Sequence, residues 1–346
     1  MKIVVPFVKR PVVDRLAFIL SWSCGRFDDQ ETLLKPVRRR IAQAIEAGTC
    51  ERSYPRGPRY RETFCVLLDG GAKAYVQVGA LIPERQKGGI RIVINPAKFH
   101  DGDAMQLNRV MRKIIGPEYN RLMKRPLINC IDFAVDIHHA SLSRMLVKYS
   151  NAQRMTVMAK RMAQNCHIEG YNFGSGNSDY FTVAYDKSAE RVHAAILNMV
   201  KKVNAKRSEQ EIELLTANAI KQLKPKLDGI KVVRVEVRGK KLRGKPLNKL
   251  DSMPNRFARF RFADLTGAGT QLSPLTERAF LAMCRQDGAK AALDAFKHTT
   301  QARKVNAFWR SHQANWWKPE PMWQQACDAV RKIGLFPDSA FEAHDD

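Results

Sequence analysis

Long apolar runs are absent from this sequence. No stretch of about 18 or more apolar residues occurs, which is the length that a membrane-spanning helix needs. Residues 1–11 also lack the apolar core and the cleavage site of a signal peptide. These absences predict a protein without membrane spans that works in the cytosol.

Cysteine is sparse and shows no paired spacing. The chain has seven cysteines, an odd number, and none of them forms a C-x-x-C pair. This pattern favours a reducing compartment, argues against a zinc site and indicates that most of the thiols are small core residues. The seven are Cys24, Cys50, Cys65, Cys130, Cys166, Cys284 and Cys327.

Acidic residues are too few to balance the basic ones. The 346 residues include 59 Lys and Arg against 34 Asp and Glu, a formal net charge of +25. Such an excess predicts a polyanionic partner. Nucleic acid is the first candidate, because Lys and Arg release counterions from its phosphates. The length fits one large domain or two of ordinary size.

Alternating apolar residues and turn signals predict an α+β fold, mainly an antiparallel sheet covered by helices and followed by an α-helical basic C-terminal region. Strands are predicted at 61–68, 73–79, 89–95, 127–137, 167–173, 179–185 and 230–238. Helices are predicted at 103–123, 142–164, 188–203, 208–223, 276–286, 289–298, 304–312 and 322–333. The predicted division is an α+β domain over 1–250 and a mostly helical region over 251–346 that serves DNA binding or dimerisation.

The strand predicted at 127–137 carries polar groups on one face. Alternation puts Asp132, Asp136 and His138 on the same side of an otherwise apolar strand. Burying these groups without partners would be costly, and a hard divalent cation such as Mg²⁺ would stabilise them. The alternative is that they lie at the rim of the sheet and pair with basic neighbours.

The strand predicted at 230–238 has one apolar face and one charged face. Arg234, Glu236 and Arg238 share the charged face. Glu236 could complete a metal site, and Arg234 could hold a phosphate with both arms of its guanidinium. A cross-strand ion pair is the alternative explanation of this pattern.

Tyr185 is the candidate nucleophile. It stands where a predicted strand gives way to a helix, and Lys187 follows two residues later as a source of positive charge. A phenol has a pKa of about 10, so as a nucleophile it needs a nearby cation or a metal-polarised phosphate. Tyr171 and Tyr180 are the competing tyrosines. A half-buried aromatic at a strand end is the alternative without chemistry.

Four short segments occur in a fixed order along the chain. They are Pro96-Ala97-Lys98, Ile131-Asp132, Val183-Ala184-Tyr185-Asp186-Lys187 and Val233-Arg234-Val235-Glu236. Their order and spacing resemble the replication initiators of filamentous phages, the gene II protein family, and more distantly the plasmid initiators of the Rep_trans group. The similarity covers residues 60–250.

This resemblance implies that Tyr185 attacks one phosphodiester of a replication origin and forms a 5′-phosphotyrosine. The freed 3′-hydroxyl would prime a host polymerase, with a host helicase as a further partner, and a later transfer would reseal the displaced circle. It also implies a metal ion, Mg²⁺ or Mn²⁺, with Asp132 and Glu236 as ligands and Lys187 near the scissile phosphate. Asp136 and His138 are added as ligands from the strand geometry.

The chain departs from related initiators in two ways. Many rolling-circle initiators hold their metal with a His-hydrophobe-His triplet, and this chain has none; His138 and His139 are adjacent and point to opposite faces of an extended strand. A second tyrosine one helical turn after Tyr185 is also missing, because that position is Ala189. The sequence therefore defines the nucleophile better than the metal ligands, and it does not predict a two-tyrosine relay.

Basic residues are concentrated between 231 and 264, where eleven Lys and Arg stand against three acids. Residues 256–262 interleave arginine with phenylalanine, a mixture that can follow a phosphate backbone while rings stack on bases. An edge strand with Phe260 and Phe262 facing inward is an equal alternative. The predicted DNA-contacting residues are Arg234, Arg238, Lys240, Lys241, Arg243, Arg256, Arg259 and Arg261.

The C-terminal tail is rich in large aromatic residues at helical spacing, which is typical of a hydrophobic core. These residues are Phe308, Trp309, Trp316, Trp317 and Trp323. A helix-turn-helix over 276–298 that binds the origin is a further hypothesis.

These features together predict a metal-dependent, site-specific DNA strand transferase that starts rolling-circle replication of a phage or plasmid. A second hypothesis, from another class, is a non-catalytic DNA-binding regulator on the same scaffold, which would need no cation and would form no covalent adduct. A third, an RNA-binding structural protein, fits the charge but gives no reason for acids and a tyrosine on strands.

Overall fold

The computed structural model describes most of the chain. The described residues are 5–22, 27–54, 59–82, 89–150, 155–161, 166–175, 177–188, 190, 231–266 and 272–343. The helices predicted at 188–203 and 208–223 lie outside these residues, apart from positions 188 and 190.

Strands and helices follow one another in the described residues as an α+β protein. The strands are β1 (Phe7–Val8), β2 (Val12–Leu20), β3 (Cys50–Arg52), β4 (Tyr60–Leu67), β5 (Lys73–Ala80), β6 (Ile90–Ile94), β7 (Leu127–His138), β8 (Met145–Tyr149), β9 (Met155–Arg161), β10 (Cys166–Phe173), β11 (Tyr180–Asp186), β12 (Val232–Gly239), β13 (Lys245–Pro246) and β14 (Phe260–Asp264). The helices are α1 (Phe27–Glu46), α2 (Asp103–Ile115), α3 (Glu118–Leu122), α4 (Pro274–Asp287), α5 (Ala289–Phe296), α6 (Ala302–Ser311) and α7 (Pro319–Arg331).

A large antiparallel sheet forms the centre of the molecule. Its strands run in the order β3-β4-β5-β6-β2-β7-β12-β11-β10-β9, and the short strands β1 and β13 also pair with β7. Strands β14 and β8 form a separate pair. Every recorded strand pair is antiparallel. The predicted fold class is therefore confirmed.

The two faces of this sheet differ because successive side chains point to opposite sides. One face carries apolar side chains that pack on the helices; Phe133 of β7, for example, meets the ring of Trp323 in α7 edge to face, with 5.5 Å between the ring centroids. Burying a side chain of this size contributes about 1.5–3 kcal/mol. The other face, called here the charged face, bears Arg234, Glu236 and Tyr185.

The helix predicted over 142–164 is wrong. This segment forms a short 3-10 helix and the strands β8 and β9. Strand β8 pairs with β14, and β9 pairs with β10. The apolar residues of β8 and β9 fit a buried strand as well as a helix, and the partner of β8 lies more than a hundred residues further along the chain. Tertiary pairing therefore decided the secondary structure.

Other differences concern the bounds of one helix and elements that were not predicted. The helix predicted over 103–123 is split into α2 and α3 at Gly116, whose φ of +96° lies in the left-handed region that glycine adopts without strain, and at the following Pro117. The sequence analysis did not identify β2 or α1. Strand β2 lies between β6 and β7 in the sheet, so an early strand of the chain separates two strands that follow one another in the sequence.

The C-terminal helices occur where they were predicted. Trp309, Trp317 and Trp323 are buried, which confirms their role in the core. Helix α7 packs on the apolar face of the main sheet, so residues on both sides of position 250 share one hydrophobic core. Helices α4, α5 and α6 form a second, smaller core. The domain boundary near residue 250 stays a prediction.

Two further expectations can be compared with the described residues. None of the described helices has both the length and the apolar character required to cross a bilayer. Five cysteines in the described part are buried free thiols, as expected of small core residues. They are Cys50, Cys65, Cys130, Cys284 and Cys327.

Candidate active site

Three adjacent strands bring the predicted catalytic side chains onto the charged face. Strand β12 lies between β7 and β11, and its Arg234 stands opposite Asp136 on one side and Tyr185 on the other. Glu236 stands two residues further along β12, opposite Ala134 and Val183. The strand alternation predicted from the sequence is confirmed, and residues up to about a hundred positions apart meet in one cluster.

Tyr185 and Glu236 form the centre of this cluster. The Tyr185 hydroxyl donates a hydrogen bond of 2.7 Å to Oε1 of Glu236. The other oxygen, Oε2, accepts from Nε of Arg238 at 2.8 Å and from a second nitrogen of the same guanidinium. Glu236 is only 3% exposed. A phenol, a buried carboxylate and an arginine are therefore connected in a chain of hydrogen bonds.

The surroundings of Tyr185 keep its hydroxyl protonated. Burial raises the pKa of this phenol well above its ordinary value, and the hydrogen bond to Glu236 raises it further because a carboxylate disfavours a neighbouring phenolate. Arg234 acts in the opposite direction but more weakly. The phenol is consequently neutral at physiological pH, and any attack by its oxygen requires that a base accept the proton at the same time.

Arg234 and Asp136 form an ion pair across strands β12 and β7. Nε and Nη2 of Arg234 donate to the two oxygens of Asp136 at 2.6 and 2.9 Å. Their side chains are only 12% and 14% exposed. Asp14 of β2 lies 3.7 Å from Nη1 of Arg234. The cross-strand ion pair that the sequence left as an alternative is therefore present.

Breaking this pair should destabilise the fold. We expect Arg234→Met or Asp136→Leu alone to lower the free energy of unfolding by about 3 kcal/mol or more, because each removes one member of a nearly buried ion pair that is joined by two hydrogen bonds. The double variant should regain most of that loss. Denaturant unfolding of the three variants measures this. The exposed pair of Lys73 with Glu51 is the control, and Lys73→Met should have a much smaller effect. If the loss in the double variant equals the sum of the two single losses, the two residues are not coupled and the prediction is wrong.

Asp132 is the second buried carboxylate of the charged face, at 8% exposure. Burial raises the pKa of Asp132 from 3.8 to about 6; Arg15 and Arg238 oppose this rise, and Glu236 adds to it. Its Oδ1 lies 3.8 Å from the Cys130 thiol. Asp132 is therefore within electrostatic reach of Glu236, as a shared site requires.

The pKa of Asp132 predicts how stability varies with pH. The folded protein holds this proton more tightly than the unfolded chain, so stability is lost as pH rises from about 4 to about 6, and the rise in pKa corresponds to roughly 3 kcal/mol. Asp132→Asn removes this titration. We expect the free energy of unfolding of the variant, minus that of the natural chain at the same pH, to rise by about 2–3 kcal/mol from pH 4 to pH 7. Denaturant unfolding at each pH measures this difference. A difference that is independent of pH would contradict it.

The four predicted metal ligands do not meet at one point. Asp136 is held by Arg234, and His138 lies six residues from Asp132, about 20 Å along the extended strand β7. The His138 ring stacks on Phe7 of β1, with 5.2 Å between the ring centroids. Asp136 and His138 therefore cannot share one ion with Asp132, which corrects the ligand set drawn from strand alternation.

Asp132 and Glu236 remain as the pair that could approach one cation. Both oxygens of Glu236 are engaged, by Tyr185 and by Arg238, and Asp132 faces Arg15 and Arg238. Within the described ranges, no three His, Cys, Asp or Glu side chains gather as a metal-binding group. The arrangement as it stands fits arginine-neutralised carboxylates rather than a ready-made metal cage.

Lys187 lies beside the tyrosine, as predicted. Its Nζ is 5.8 Å from the centroid of the Tyr185 ring, and it forms an ion pair with Glu190. The competing tyrosines lie on the other face of the sheet. Tyr171 is buried, with a pKa raised to about 12 by burial, and Tyr180 stacks under Arg256. Tyr185 is thus the tyrosine that combines partial exposure with a carboxylate partner.

The predicted DNA-contacting residues fall into two groups. Arg234, Arg238 and Lys240 lie on or beside the charged face. Cζ of Arg256 lies 3.9 Å from the centroid of the Tyr180 ring, on the opposite face. Arg259 ends a 3-10 helix just before β14, and Arg261 lies in β14 itself. Lys241 donates to the carbonyl of Asn177, and Arg243 is exposed near Asp179. The first group lies on the same side of the sheet as Tyr185.

Phe260 and Phe262 do not stack on bases. Both rings are buried in β14, where they pack on Tyr149 and Trp317. Arg261 between them is exposed. The edge-strand alternative for residues 256–262 is therefore confirmed.

Two charged residues of the cluster were missed by sequence analysis. Strand β2 has a bulge at Asp14, because Val13 pairs with Phe133 and Arg15 already pairs with Asp132. The extra residue turns both Asp14 and Arg15 toward the charged face. The only signal in the sequence is this charged pair inside an apolar run.

The segment Pro96–Lys98 forms a 3-10 helix directly after β6. Pro96 and Ala97 line a cleft of about 560 Å³ together with Val13 of β2 and Ala329 of α7. This segment therefore lies with the helices on the apolar side of the sheet.

No protein-family model matches this chain. No curated protein matches it either. Among solved structures, the chain is similar to the rolling circle replication initiator protein from Geobacillus stearothermophilus, with 10% sequence identity over 68% of this chain and 75% of that one and a TM-score of 0.33. Such a loose superposition carries no argument about the site or its chemistry.

Proposed function

We propose that this protein is a site-specific DNA strand transferase that starts rolling-circle replication at a phage or plasmid origin in the bacterial cytoplasm. The observation that carries the proposal is the hydrogen bond between the Tyr185 hydroxyl and Glu236, on a face that also bears Arg234 and Arg238. A nucleophile, a proton acceptor and phosphate-binding cations are the parts that transesterification of DNA requires. The formal net charge of +25 supports DNA as the substrate.

The proton of Tyr185 has a short route to Glu236. The raised pKa of Tyr185 means that the phenol attacks while it loses its proton, and Oε1 of Glu236 already accepts that hydrogen at 2.7 Å. The bond from the Tyr185 oxygen to phosphorus forms as the bond from phosphorus to the 3′-oxygen breaks. The leaving oxygen takes a proton from water, which gives a 5′-phosphotyrosine and a free 3′-hydroxyl.

Arg238 and Lys187 are the cations best situated for the phosphate. Arg238 is 36% exposed and turns the Nε and Nη2 edge of its guanidinium toward Glu236. Lys187 lies beside the Tyr185 ring. Positive charge at these two positions would attract the scissile phosphate and stabilise the charge that develops during transfer. Arg234 is held by Asp136 and contributes mainly by fixing strand β12 next to β7.

Rejoining follows the same route in reverse. A 3′-hydroxyl attacks the phosphotyrosine and loses its proton to water, the bond from phosphorus to the Tyr185 oxygen breaks, and Glu236 returns a proton to the leaving phenolate. Between the two transfers the free 3′-hydroxyl is a primer, so a host polymerase and a host helicase are the proposed partners. A divalent ion, Mg²⁺ or Mn²⁺, near Asp132 and Glu236 stays a prediction that a chelator tests directly.

The test is a covalent protein–DNA adduct. The full chain is incubated with Mg²⁺ or Mn²⁺ and single-stranded oligonucleotides that tile the DNA on both sides of its gene, with every segment able to form a hairpin included. The products are separated on a denaturing gel. We expect an adduct whose digested peptide carries the DNA on Tyr185. A parallel sample with chelator tests the metal. The absence of any adduct with all hairpin sequences and both metals would contradict strand transfer.

The alternative function is a DNA-binding regulator without chemistry. One observation favours it: the carboxylates of the charged face are paired with arginines, as in a purely structural network. Tight binding of the hairpin DNA that is indifferent to chelator, together with no adduct, would support the regulator.

A further inference from the structure

Phe181 is an aromatic residue on the charged face of the sheet. It stands opposite Arg238 in the pairing of β11 with β12, and Tyr185 stands opposite Arg234 in the same pairing. Residues 181 and 185 are four positions apart, so both side chains point to the same face and lie about 13 Å from each other along β11. The Phe181 side chain is only half-buried.

Two cations flank this ring. Nζ of Lys240 lies 4.5 Å from the ring centroid, and Cζ of Arg238 lies 5.9 Å from it. The hydrophobic core that contains buried rings of the sheet such as Phe133 and Tyr171 lies on the opposite face. Phe181 is not among the residues of either described core. Packing in the core therefore does not account for its position.

Arg238 connects this ring to the candidate active site. The same guanidinium that donates to Glu236 also faces Phe181. A group bound on the ring would consequently lie next to strand β12, which carries Glu236, and on the same side of the sheet as Glu236.

We propose that Phe181, flanked by Lys240 and Arg238, is a subsite that stacks on one unpaired base of single-stranded DNA, a few nucleotides from the phosphate at Tyr185. A ring beside positive charge matches a base beside its phosphate, and any base offers a π-face to stack on. Duplex DNA does not fit, because its bases are already stacked on one another. The subsite rests on the proposed function for the position of the scissile phosphate.

Binding of single-stranded DNA tests the subsite without any nicking. The probe is a fluorescent oligothymidylate of about a dozen nucleotides, within the site sizes of single-strand binding folds. It is titrated in chelator against the full chain carrying Tyr185→Phe. We expect Phe181→Leu to weaken binding about tenfold, because one base–aromatic stack is lost. Phe181→Tyr, which keeps the ring, should bind nearly as tightly as the parent.

Tyr75 supplies a matched control. Its side chain is 48% exposed, and it lies on strand β5, toward the opposite edge of the same sheet from β11. Tyr75→Leu should leave the affinity unchanged. An equal loss in Tyr75→Leu, or no loss in Phe181→Leu, would overturn the subsite.

A photocrosslink provides a second measurement that needs no substitution at 181. One thymine of the probe is replaced by 5-iodouracil, and the irradiated complex is digested and mapped. We expect a crosslink on Phe181, and crosslinks confined to other peptides would overturn the subsite. The two proposals can fail separately. An adduct on Tyr185 without stacking at Phe181 overturns only the subsite. Stacking at Phe181 without any adduct overturns only strand transfer.

Discussion

Tyr185→Phe is expected to lower the yield of covalent protein–DNA adduct by more than about a thousandfold, because the substitution removes the only atom that forms the bond to phosphorus. DNA binding should be nearly unchanged, since the ring and the neighbouring cations remain. The free energy of unfolding should fall by about 1–3 kcal/mol, because Oε1 of the buried Glu236 loses its donor. Denaturing gels, fluorescence anisotropy and denaturant unfolding measure the three quantities.

Tyr180→Phe is the matched control for this result. Tyr180 lies on the same strand but on the opposite face, under Arg256, so its hydroxyl cannot reach the phosphate that Tyr185 reaches. We expect the control to form adduct at the rate of the natural chain. An adduct that persists in Tyr185→Phe and disappears in Tyr180→Phe would transfer the role of nucleophile to Tyr180.

Glu236→Gln is expected to slow adduct formation by about 10²- to 10⁴-fold, the usual contribution of a positioned base. The amide keeps the shape of the side chain and can still accept the hydrogen bond of Tyr185, but it does not take up the proton. Binding of single-stranded DNA should become tighter rather than weaker, because a negative charge next to Arg238 is removed. Single-turnover rates and anisotropy titrations separate the two effects.

Glu62→Gln controls for the loss of an ion-paired carboxylate from the sheet. Glu62 of β4 pairs with Arg38 of α1, away from the charged face, and its replacement should leave both the rate and the affinity unchanged. Raising the concentration of Mg²⁺ should not restore the rate of Glu236→Gln if the residue acts on the proton. Full restoration by metal would instead assign Glu236 to a cation.

Much of the charged face could be predicted because its strands alternate cleanly. Apolar residues at every second position of 230–238 predict one buried side, so Arg234 and Glu236 had to share the other. The same reasoning put Asp132 and Asp136 together on one face of β7, and the pairing of β12 with β7 confirms both predictions. Alternation assigns a face but does not bring groups together, and the rise of about 3.3 Å per residue already separates His138 from Asp132 on one strand. Leaving out that spacing is why His138 was wrongly joined to Asp132.

Errors arose where a distant partner decided the local structure. Residues 145–149 are apolar enough for a helix or a strand, and their pairing with 260–264 made them a strand. The bulge in β2 depends on its fit between two neighbours, so Asp14 and Arg15 could not be assigned to the charged face from spacing. The helices of the tail were predictable because each has its own periodic apolar face, and Ser273 caps the first of them.

By itself, the sequence determined the fold class, the strands that carry the polar groups and the side of each strand on which they lie. These follow from local periodicity and from net charge, which need no partner. Only the tertiary structure decided which partner each charge has: Glu236 with Tyr185 and Arg238, and Asp136 with Arg234. The physical reason is that hydrogen bonds and burial depend on strand order and register, which are set by contacts between residues far apart in the chain.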